Sequence, residues 1–293
     1  MSTKIAWCDE TWNPIVGCSK VSAGCANCYA ETMAKRLRGM GLPRYQGVVN
    51  EKGWTGQIAL VPEALDKPLH WRKPRRVFVG SMTDLFHPDV PFEYLDRIWA
   101  TMLLSPAHTF QVLTKRPDRM RQYLDDVPSV VFPNTTIRYT TVLGAANDIR
   151  FRRPERRLLE IGISDPVRFP SPNVHLGVTI ERPEFSYRST FLGWVPAALR
   201  FVSFEPLLGS FADYPGVLDD VDWAIIGCES GPKRRPMQLE WALDLVEQCK
   251  VAGVAVFVKQ LDLDGKVSHD PAEWPEELRV REYPFSTEST DNG

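Results

Sequence analysis

The sequence predicts an α/β protein built as a partial or full (β/α) barrel of six to seven strand–helix units. Short apolar runs rich in Val, Ile and Phe recur along the chain, and amphipathic stretches of helical periodicity lie between several of them. Such runs are typical of strands that are covered on both faces. The alternation of strands and helices favours a parallel sheet, and six or seven units suit a barrel better than a five-stranded sheet.

Each predicted element follows from its own pattern. A first strand is expected just before Cys18. Short apolar runs that end in polar residues predict further strands at 75–81, 109–114, 173–181, 199–206, 222–230 and 254–260. Amphipathic periodicity predicts helices at 26–39, 91–104, 116–124 and 237–252.

The chain is expected to form one domain spanning residues 1–293, because no clear linker or sequence repeat divides it. The segment at about 127–172 is much longer than the usual connection between two strands, and we predict that it is an insertion. Residues at about 281–293 are polar and lack periodicity, which predicts a flexible tail.

Composition narrows the possible classes. The chain is 43% hydrophobic and 25% charged, which is typical of a globular protein. A net charge of −2 and a pI near 6.2 predict no global attraction to nucleic acid or to an anionic membrane. The start of the sequence lacks a signal-peptide pattern, and no apolar stretch approaches the roughly 18 residues of a membrane span. We therefore expect a cytoplasmic protein that does not associate with membranes.

Polar side chains lie at the carboxyl end of each of the six predicted strands between residues 75 and 260. In parallel α/β proteins, ligands bind at the carboxyl ends of the strands, because the following loops open onto one face. Solvent exposure alone could explain one such cluster, but six of them together predict a site. The clusters are Ser81, Thr83 and Asp84; Thr114, Lys115 and Arg116; Thr179 and Glu181; Ser203 and Glu205; Glu229 and Ser230; and Lys259 and Gln260.

Three of the six cysteines, Cys18, Cys25 and Cys28, crowd into one loop with the spacing C-x6-C-x2-C. In a reducing cytosol, clustered thiols more often bind metal or perform redox chemistry than form disulfides. Three interpretations remain open. They are a zinc site with Cys8 as a fourth ligand, thiols without any metal, and an iron–sulfur cluster held by three cysteines with one iron open. Cys249 lies in a periodic helical stretch and is expected to be buried.

Seven sequence blocks carry a family resemblance that spans nearly the whole chain. They are TWNPIVGCSKVSAGCANCYAE (11–31), VGSMTDLFHPDVP (79–91), FQVLTKRPDRM (110–120), NVHLGVTIE (173–181), RFVSFEPLLG (200–209), WAIIGCESGPKRRPM (223–237) and VFVKQ (256–260). The chain resembles a phage-associated family of uncharacterised radical-SAM-like proteins. Its cysteine spacing departs from the usual C-x3-C-x2-C signature but retains the C-x2-C half.

This resemblance implies a barrel of the radical-SAM type and a [4Fe–4S] cluster. Such a cluster reductively cleaves S-adenosylmethionine to a 5′-deoxyadenosyl radical, which here would act on an unknown substrate. The implied metal ligands are Cys18, Cys25 and Cys28, and the implied cofactor-binding residues are Tyr29, Ser81, Thr83, Asp84, Lys115, Arg116 and Gly227.

The implied cofactor-binding residues divide by the part of S-adenosylmethionine that each would contact. The GSMTD motif would hold the methionine amino group, and Lys115 or Arg116 would hold its carboxylate. Gly227 would let the adenine approach closely. Tyr29 would pack beside the cluster or the adenine, and a place in the core is its open alternative. Capping of the following helix is the alternative for Lys115 and Arg116.

Four charged side chains remain for substrate binding or proton transfer, and they are Glu181, Glu205, Glu229 and Lys259. Structural ion pairing is the open alternative for each of the three carboxylates.

Basic clusters suggest an anionic substrate. They lie at 73–76, at 232–236 and at 149–157, where nine residues contain five arginines. Such clusters favour a nucleobase or nucleic-acid substrate, and solvated charged faces are the alternative. Radical chemistry also implies an electron donor such as flavodoxin or ferredoxin. The rival function is a non-catalytic protein that binds nucleic acid or a partner and contains a structural zinc site.

Overall fold

The computed structural model describes residue 3 and residues 5–125 and 170–284 of the 293-residue chain. The predicted insertion falls almost entirely on residues outside these ranges, as does the predicted tail after residue 284.

The central element is an eight-stranded sheet that is parallel except for its last strand. Its strands lie in the order β1-β6-β7-β8-β9-β10-β11-β12, and β12 pairs with β11 in the antiparallel direction. The strands are β1 (Glu10–Trp12), β6 (Arg76–Val79), β7 (Thr109–Thr114), β8 (Val174–Thr179), β9 (Arg200–Phe204), β10 (Trp223–Gly227), β11 (Ala255–Leu263) and β12 (Lys266–Ser268). All six predicted apolar runs form strands, and β1 is the strand expected before Cys18.

Helices connect these strands where the periodicity predicts them. They are α1 (Tyr29–Gly39), α2 (Phe92–Leu103), α3 (Pro117–Asp125) and α5 (Leu239–Ala252), and a short helix that the sequence did not predict, α4 (Tyr187–Gly193), follows β8. Two small antiparallel pairs lie between β1 and β6: β2 (Ile15–Val16) with β5 (Ala59–Leu60), and β3 (Val49–Asn50) with β4 (Gly53–Trp54).

The sheet is open, so the closed form of the predicted barrel is not observed. In the described ranges, the strand order begins at β1 and ends at β12, with no pairing between these two edges. The sheet is nevertheless strongly curved, because the ring of Trp7 lies 4.8 Å from that of Phe78 on β6 and 6.4 Å from that of Trp223 on β10. Four strand steps separate β6 from β10, so the two can share one partner only across a concave face.

The two faces of the sheet have different cores, as the two-residue alternation of a strand requires. The convex face packs Val77, Val112, Val178 and Ile226 against the helices in the main hydrophobic core. The concave face contains a second cluster, here called the aromatic floor, formed by Trp7, Phe78, Phe201, Trp223 and Phe257.

Gly177 on β8 is the position that lets the aromatic floor close. A Cβ atom at this residue would lie 2.5 Å from the ring of Phe201, which is far inside van der Waals contact. The floor therefore fills the base of the concave face with large side chains. It leaves the carboxyl ends of the strands for polar groups.

Candidate functional site

The cysteine loop, residues Gly17–Cys28, lies over the carboxyl edge of the sheet. The Gly17 N–H donates to Met82 O at 3.1 Å, and Thr83 Oγ1 donates to Gly17 O at 2.7 Å. Gly17 has a φ of +98°, and a Cβ atom there would lie 2.4 Å from Gln57 O, so only glycine fits. The loop therefore starts from a fixed point beside β6.

All six cysteines have free thiols, and those of the loop are partly buried. Cys18 Sγ lies 3.5 Å from Ser19 O and 4.0 Å from Arg116 Nη1, and Cys25 Sγ lies 3.9 Å from Ser22 Oγ. Burial raises the pKa of Cys18 to about 11, and Arg116 opposes this rise. Within the described part of the chain, no three His, Cys, Asp or Glu side chains are already arranged around a common metal position.

Arg116 holds the start of the loop. Its Nη2 donates to both the carbonyl oxygen and the hydroxyl of Ser19 at 2.9 Å, and its Nη1 donates to Asp84 Oδ2 at 2.8 Å. Both members of this ion pair are buried. Asp84 also accepts from Thr114 Oγ1 at 2.7 Å and from the Lys115 N–H at 3.1 Å. Two of the predicted cofactor-binding residues, Asp84 and Arg116, thus have protein partners in this structure.

Glu181 holds the middle of the loop. Its Oε1 accepts from the Gly24 N–H at 2.8 Å, and its Oε2 pairs with Arg188 Nη1 at 3.0 Å. Both charged side chains are fully buried. Burial alone would raise the pKa of Glu181, but Lys115, Ser22 and Arg188 outweigh it and lower that pKa below its ordinary value. Glu181 is therefore a buried carboxylate that bonds to the loop backbone.

Glu229 holds the end of the loop. Asn27 Nδ2 donates to Glu229 Oε2 at 2.9 Å, and Arg235 forms a two-pronged ion pair with the same carboxylate. Arg235 also reaches the loop directly, donating from Nη1 to Ala23 O at 3.0 Å. Three separate ion pairs, one from each of three regions of the sheet edge, thus contact the cysteine loop. They are Asp84–Arg116, Glu181–Arg188 and Glu229–Arg235.

Tyr29 and Ser81 connect the first turn of α1 to the end of β6. The Tyr29 hydroxyl donates to Ser81 O at 2.9 Å, and the Ser81 hydroxyl bonds with the Asn13 amide at 3.1 and 3.2 Å. Tyr29, which directly follows Cys28, therefore ties the end of the cysteine loop to the end of β6.

A third predicted carboxylate, Glu205, faces the concave interior and pairs with Lys259. Gly227 lies beside the pair, since a Cβ atom added there would lie 3.5 Å from Glu205 Cδ. All three carboxylates predicted for chemistry are thus ion-paired. Lys115 differs, because no carboxylate in the described residues lies within ion-pair distance of its ammonium group, although its charge acts on Glu181.

Comparison with known proteins assigns the chain to a family. Residues 2–276 match the family described as a protein of unknown function, DUF5131. The chain belongs to the DUF5131 family. No curated protein and no solved structure matches it significantly. The DUF5131 description names no activity, so the radical-SAM and phage associations that the resemblance implied stay predictions.

Sequence reasoning missed several residues that shape the site of this DUF5131 protein. His87 is buried and lies 2.9 Å from Ser19 Oγ through its Nε2, while its Nδ1 accepts from the Asp89 N–H at 3.3 Å. Arg188 and Arg235 complete two of the three ion pairs. The predicted blocks contained His87 and Arg235, but nothing in the local pattern distinguished them from surface residues.

Neighbouring acids neutralise part of two of the basic clusters. Arg75 pairs with Glu10 at 3.3 Å, and Arg76 pairs with Asp9 at 2.8 Å across β1 and β6. In the cluster at 232–236, Arg235 is paired as described above. The arginines at 149–157 lie outside the described residues of the DUF5131 protein. Among the helices that are described, none has the length and apolarity needed to cross a bilayer.

Proposed function

We propose that this DUF5131 protein is a radical S-adenosylmethionine enzyme, in which Cys18, Cys25 and Cys28 hold a [4Fe–4S] cluster. The observation that carries the proposal is the loop itself. Three free thiols lie in one loop at the carboxyl edge of a parallel sheet, where α/β proteins bind their ligands, and three buried or half-buried ion pairs contact that loop.

The donor set fits such a cluster. Three thiolates suffice for three of its four irons and leave the fourth open to the cofactor. Cys8, the candidate for a fourth zinc ligand, packs within the aromatic floor instead of on the loop. Thiols must lose their protons when they bind a metal, and Arg116 next to Cys18 favours the charged form.

The charged residues around the cysteine loop would hold it in place and balance the charge of the bound cluster. Arg116, Glu181 and Glu229 hold its start, middle and end through hydrogen bonds to Ser19, Gly24 and Asn27, which limits the positions that the three sulfurs can take. This anchoring lowers the entropy cost of ordering the loop, although the three sulfurs would still have to move together, because no three donors share a metal position in the described residues.

Lys115 is the cation that we assign to the methionine carboxylate, because no carboxylate in the described ranges pairs with it. Tyr29 and Gly227 flank the space left for the rest of the cofactor. A [4Fe–4S] cluster held by Cys18, Cys25 and Cys28 would supply one-electron chemistry, namely the reductive cleavage of S-adenosylmethionine to methionine and a 5′-deoxyadenosyl radical, with flavodoxin or ferredoxin as the electron donor. The open concave sheet would be a partial barrel of the radical-SAM type. The substrate class that we propose is a nucleobase, free or in nucleic acid.

The test is anaerobic reconstitution with iron and sulfide, followed by reduction in the presence of S-adenosylmethionine and chromatography for 5′-deoxyadenosine. A Cys18/Cys25/Cys28→Ala triple variant should neither bind the cluster nor form the product. A Cys249→Ala variant is the matched control, since this buried thiol lies in α5, outside the loop. Binding of zinc alone, with no cofactor cleavage under any reductant, would instead support the non-catalytic zinc protein.

A further inference from the structure

The part of the chain that follows the start of the cysteine loop is basic, although the whole chain has a small net negative charge. Residues 20–52 contain six Lys or Arg, two Glu and no Asp. Their net charge is therefore +4, whereas that of the whole chain is −2. This segment includes α1 and the hairpin β3–β4. A local concentration of positive charge attracts acidic partners and steers their approach.

Three of these six cations remain without an acidic partner. The other three pair with Glu31 or Glu51 at distances of 2.8 to 3.6 Å. In the described ranges, no carboxylate lies within ion-pair distance of three exposed side chains, Arg36, Arg44 and Lys52. Their charges are therefore available to a partner.

The three unpaired cations lie on or beside α1. Arg36 is part of the helix. Tyr45 packs in the same buried cluster as the core-facing residues of α1, so its neighbour Arg44 lies next to the helix. Lys35 Nζ, also on α1, donates to Glu51 O at 3.0 Å, which brings the adjacent Lys52 to the same side of the molecule. The cations thus belong to one surface.

This surface also exposes large apolar side chains. Met33, Arg36 and Met40 recur at three- and four-residue steps and so share one face along α1, here called the α1 strip. Met33 is 40% exposed and Met40 is 65% exposed, whereas Ala30 and Ala34 are buried in the core. Methionine and arginine are both enriched in protein–protein interfaces. The α1 strip therefore has the composition of a docking surface for a protein.

The α1 strip begins close to the cysteine loop. Met33 follows Cys28 by five residues, which is roughly 7.5 Å along the helix axis. Weak electron-transfer complexes bury less than about 1,200 Å² in total, so a helix face and the turn beside it provide enough area. A protein bound to the strip would lie next to the thiols.

We infer that the α1 strip and the unpaired cations beside it form the docking surface for an acidic protein that carries one electron, of the flavodoxin or ferredoxin class. Carboxylates of that protein would pair with Arg36, Arg44 and Lys52, and its apolar groups would cover the two methionines. That the docked protein acts as electron donor rests on the proposed function, whereas docking itself can be measured on the chain without iron.

Nucleic acid, the other common polyanion, fits this surface less well. Phosphate groups bind to unpaired cations, and half of the cations in residues 20–52 are already paired with glutamates. The α1 strip also contains no aromatic ring on which a base could stack. Methionine side chains are flexible and adapt to the irregular apolar surface of a protein.

The test is isothermal titration calorimetry of the full chain, without iron, against an acidic flavodoxin and, separately, a ferredoxin. At least one carrier should bind, and its affinity should fall about tenfold or more between about 50 and 300 mM salt, because screening weakens attraction between exposed charges. Failure of both carriers to bind, or binding that salt does not weaken, would overturn the inference.

Charge-reversal variants locate the binding. Arg36→Glu/Arg44→Glu should weaken carrier binding about tenfold or more, because the new carboxylates repel an acidic partner. Arg72→Glu/Lys73→Glu is the matched control, since it changes the net charge equally at two exposed residues that precede β6, at the amino ends of the strands. An equal loss in both double variants would show that net charge alone governs binding and would overturn the inference.

A second pair of variants tests the apolar contact without changing charge. Met33→Gln/Met40→Gln retains helix propensity but removes apolar area, and it should weaken carrier binding about threefold or more. Val251→Gln is the control, because Val251 is 82% exposed on α5. Unchanged affinity in the methionine variant would overturn the inference.

Two further measurements decide what occupies the surface. Tighter binding of a single-stranded oligonucleotide than of either carrier, lost in Arg36→Glu/Arg44→Glu, would overturn the inference in favour of nucleic acid. A dimer of the chain, detected by sedimentation and dissociated by the same variant, would overturn it in favour of a second copy. Carrier binding that persists when cluster reconstitution fails would refute the proposed function alone, whereas a reconstituted enzyme that binds neither carrier would refute this inference alone.

Discussion

The substitution Arg188→Met should destabilise the fold strongly at neutral pH. Arg188 Nη1 donates to Glu181 Oε2 at 3.0 Å and to Thr179 O at 2.7 Å, and neither charged side chain is exposed. Removing the arginine leaves an unpaired carboxylate in the interior. The expected decrease in the free energy of unfolding is about 3–5 kcal/mol, the usual cost of breaking a buried ion pair by removing one partner.

The assay is urea unfolding of the purified full chain, with Arg182→Met as the matched control. Arg182 and Glu184 lie 3.8 Å apart with both side chains exposed, so this control should change the free energy of unfolding by about 0–1 kcal/mol. Adding Glu181→Gln to Arg188→Met removes the stranded charge and should recover part of the loss.

The pH dependence separates charge from packing. In the wild type, the pKa of Glu181 is lowered, so its contribution to stability is present above the pKa of the unfolded chain and is lost as pH falls through the folded pKa. Without Arg188 the buried carboxyl protonates more readily, and the deficit should therefore shrink between pH 7 and pH 5. A deficit below about 1 kcal/mol, or one that does not change with pH, would refute this reasoning.

Three further predictions follow from single residues. Gly17→Ala should lower the free energy of unfolding, measured by thermal denaturation, by about 4 kcal/mol or more, because the added methyl group would clash with a backbone oxygen. Gly56 also has a positive φ but lies in open space, so Gly56→Ala should lower it by only about 1–2 kcal/mol. Equal losses in the two variants would contradict the steric explanation. Burial lowers the pKa of His175 from 6.5 to about 4, so between these pH values the unfolded chain binds more protons than the folded one. The free energy of unfolding should therefore fall by about 3 kcal/mol as the pH drops from 6.5 to 4. If a His175→Asn variant loses as much over this range, His175 is not the source of the pH dependence. Alkylation followed by mass spectrometry should modify Cys25 before Cys249, whose pKa burial raises to about 12, and simultaneous modification would count against the described burial.

Much of the fold could be predicted because its signals are local. A strand covered on both faces needs an apolar residue at nearly every position, so runs such as Trp223–Gly227 stand out in the sequence. The short helix Tyr187–Gly193 has no long periodic pattern and was not predicted. Closure of a barrel depends on pairing between the first and last strands, which no local pattern reports, and the observed sheet is open at its edges.

The position of the candidate site at one edge of the sheet could be predicted, but the partners of its residues could not. Polar residues at the ends of parallel strands meet because the strands run in one direction, so the sequence alone brought Glu181, Glu229 and the cysteine loop to one edge. The basic cluster at 73–76 shows the limit, since Arg75 and Arg76 are neutralised by Glu10 and Asp9 more than sixty positions earlier in the chain.

The sequence by itself determined the order of strands and helices, the edge of the sheet that carries the polar groups, and the three thiols in one loop. Only the tertiary structure decided that Glu181 bonds to the loop through Gly24, that Arg188 neutralises it, and that Glu205 pairs with Lys259 above an aromatic floor. The physical reason is the distance along the chain over which each kind of interaction acts. Periodicity and turn chemistry act between neighbours in the chain, whereas ion pairs and cavities depend on which distant residues the folded sheet brings within a few ångströms.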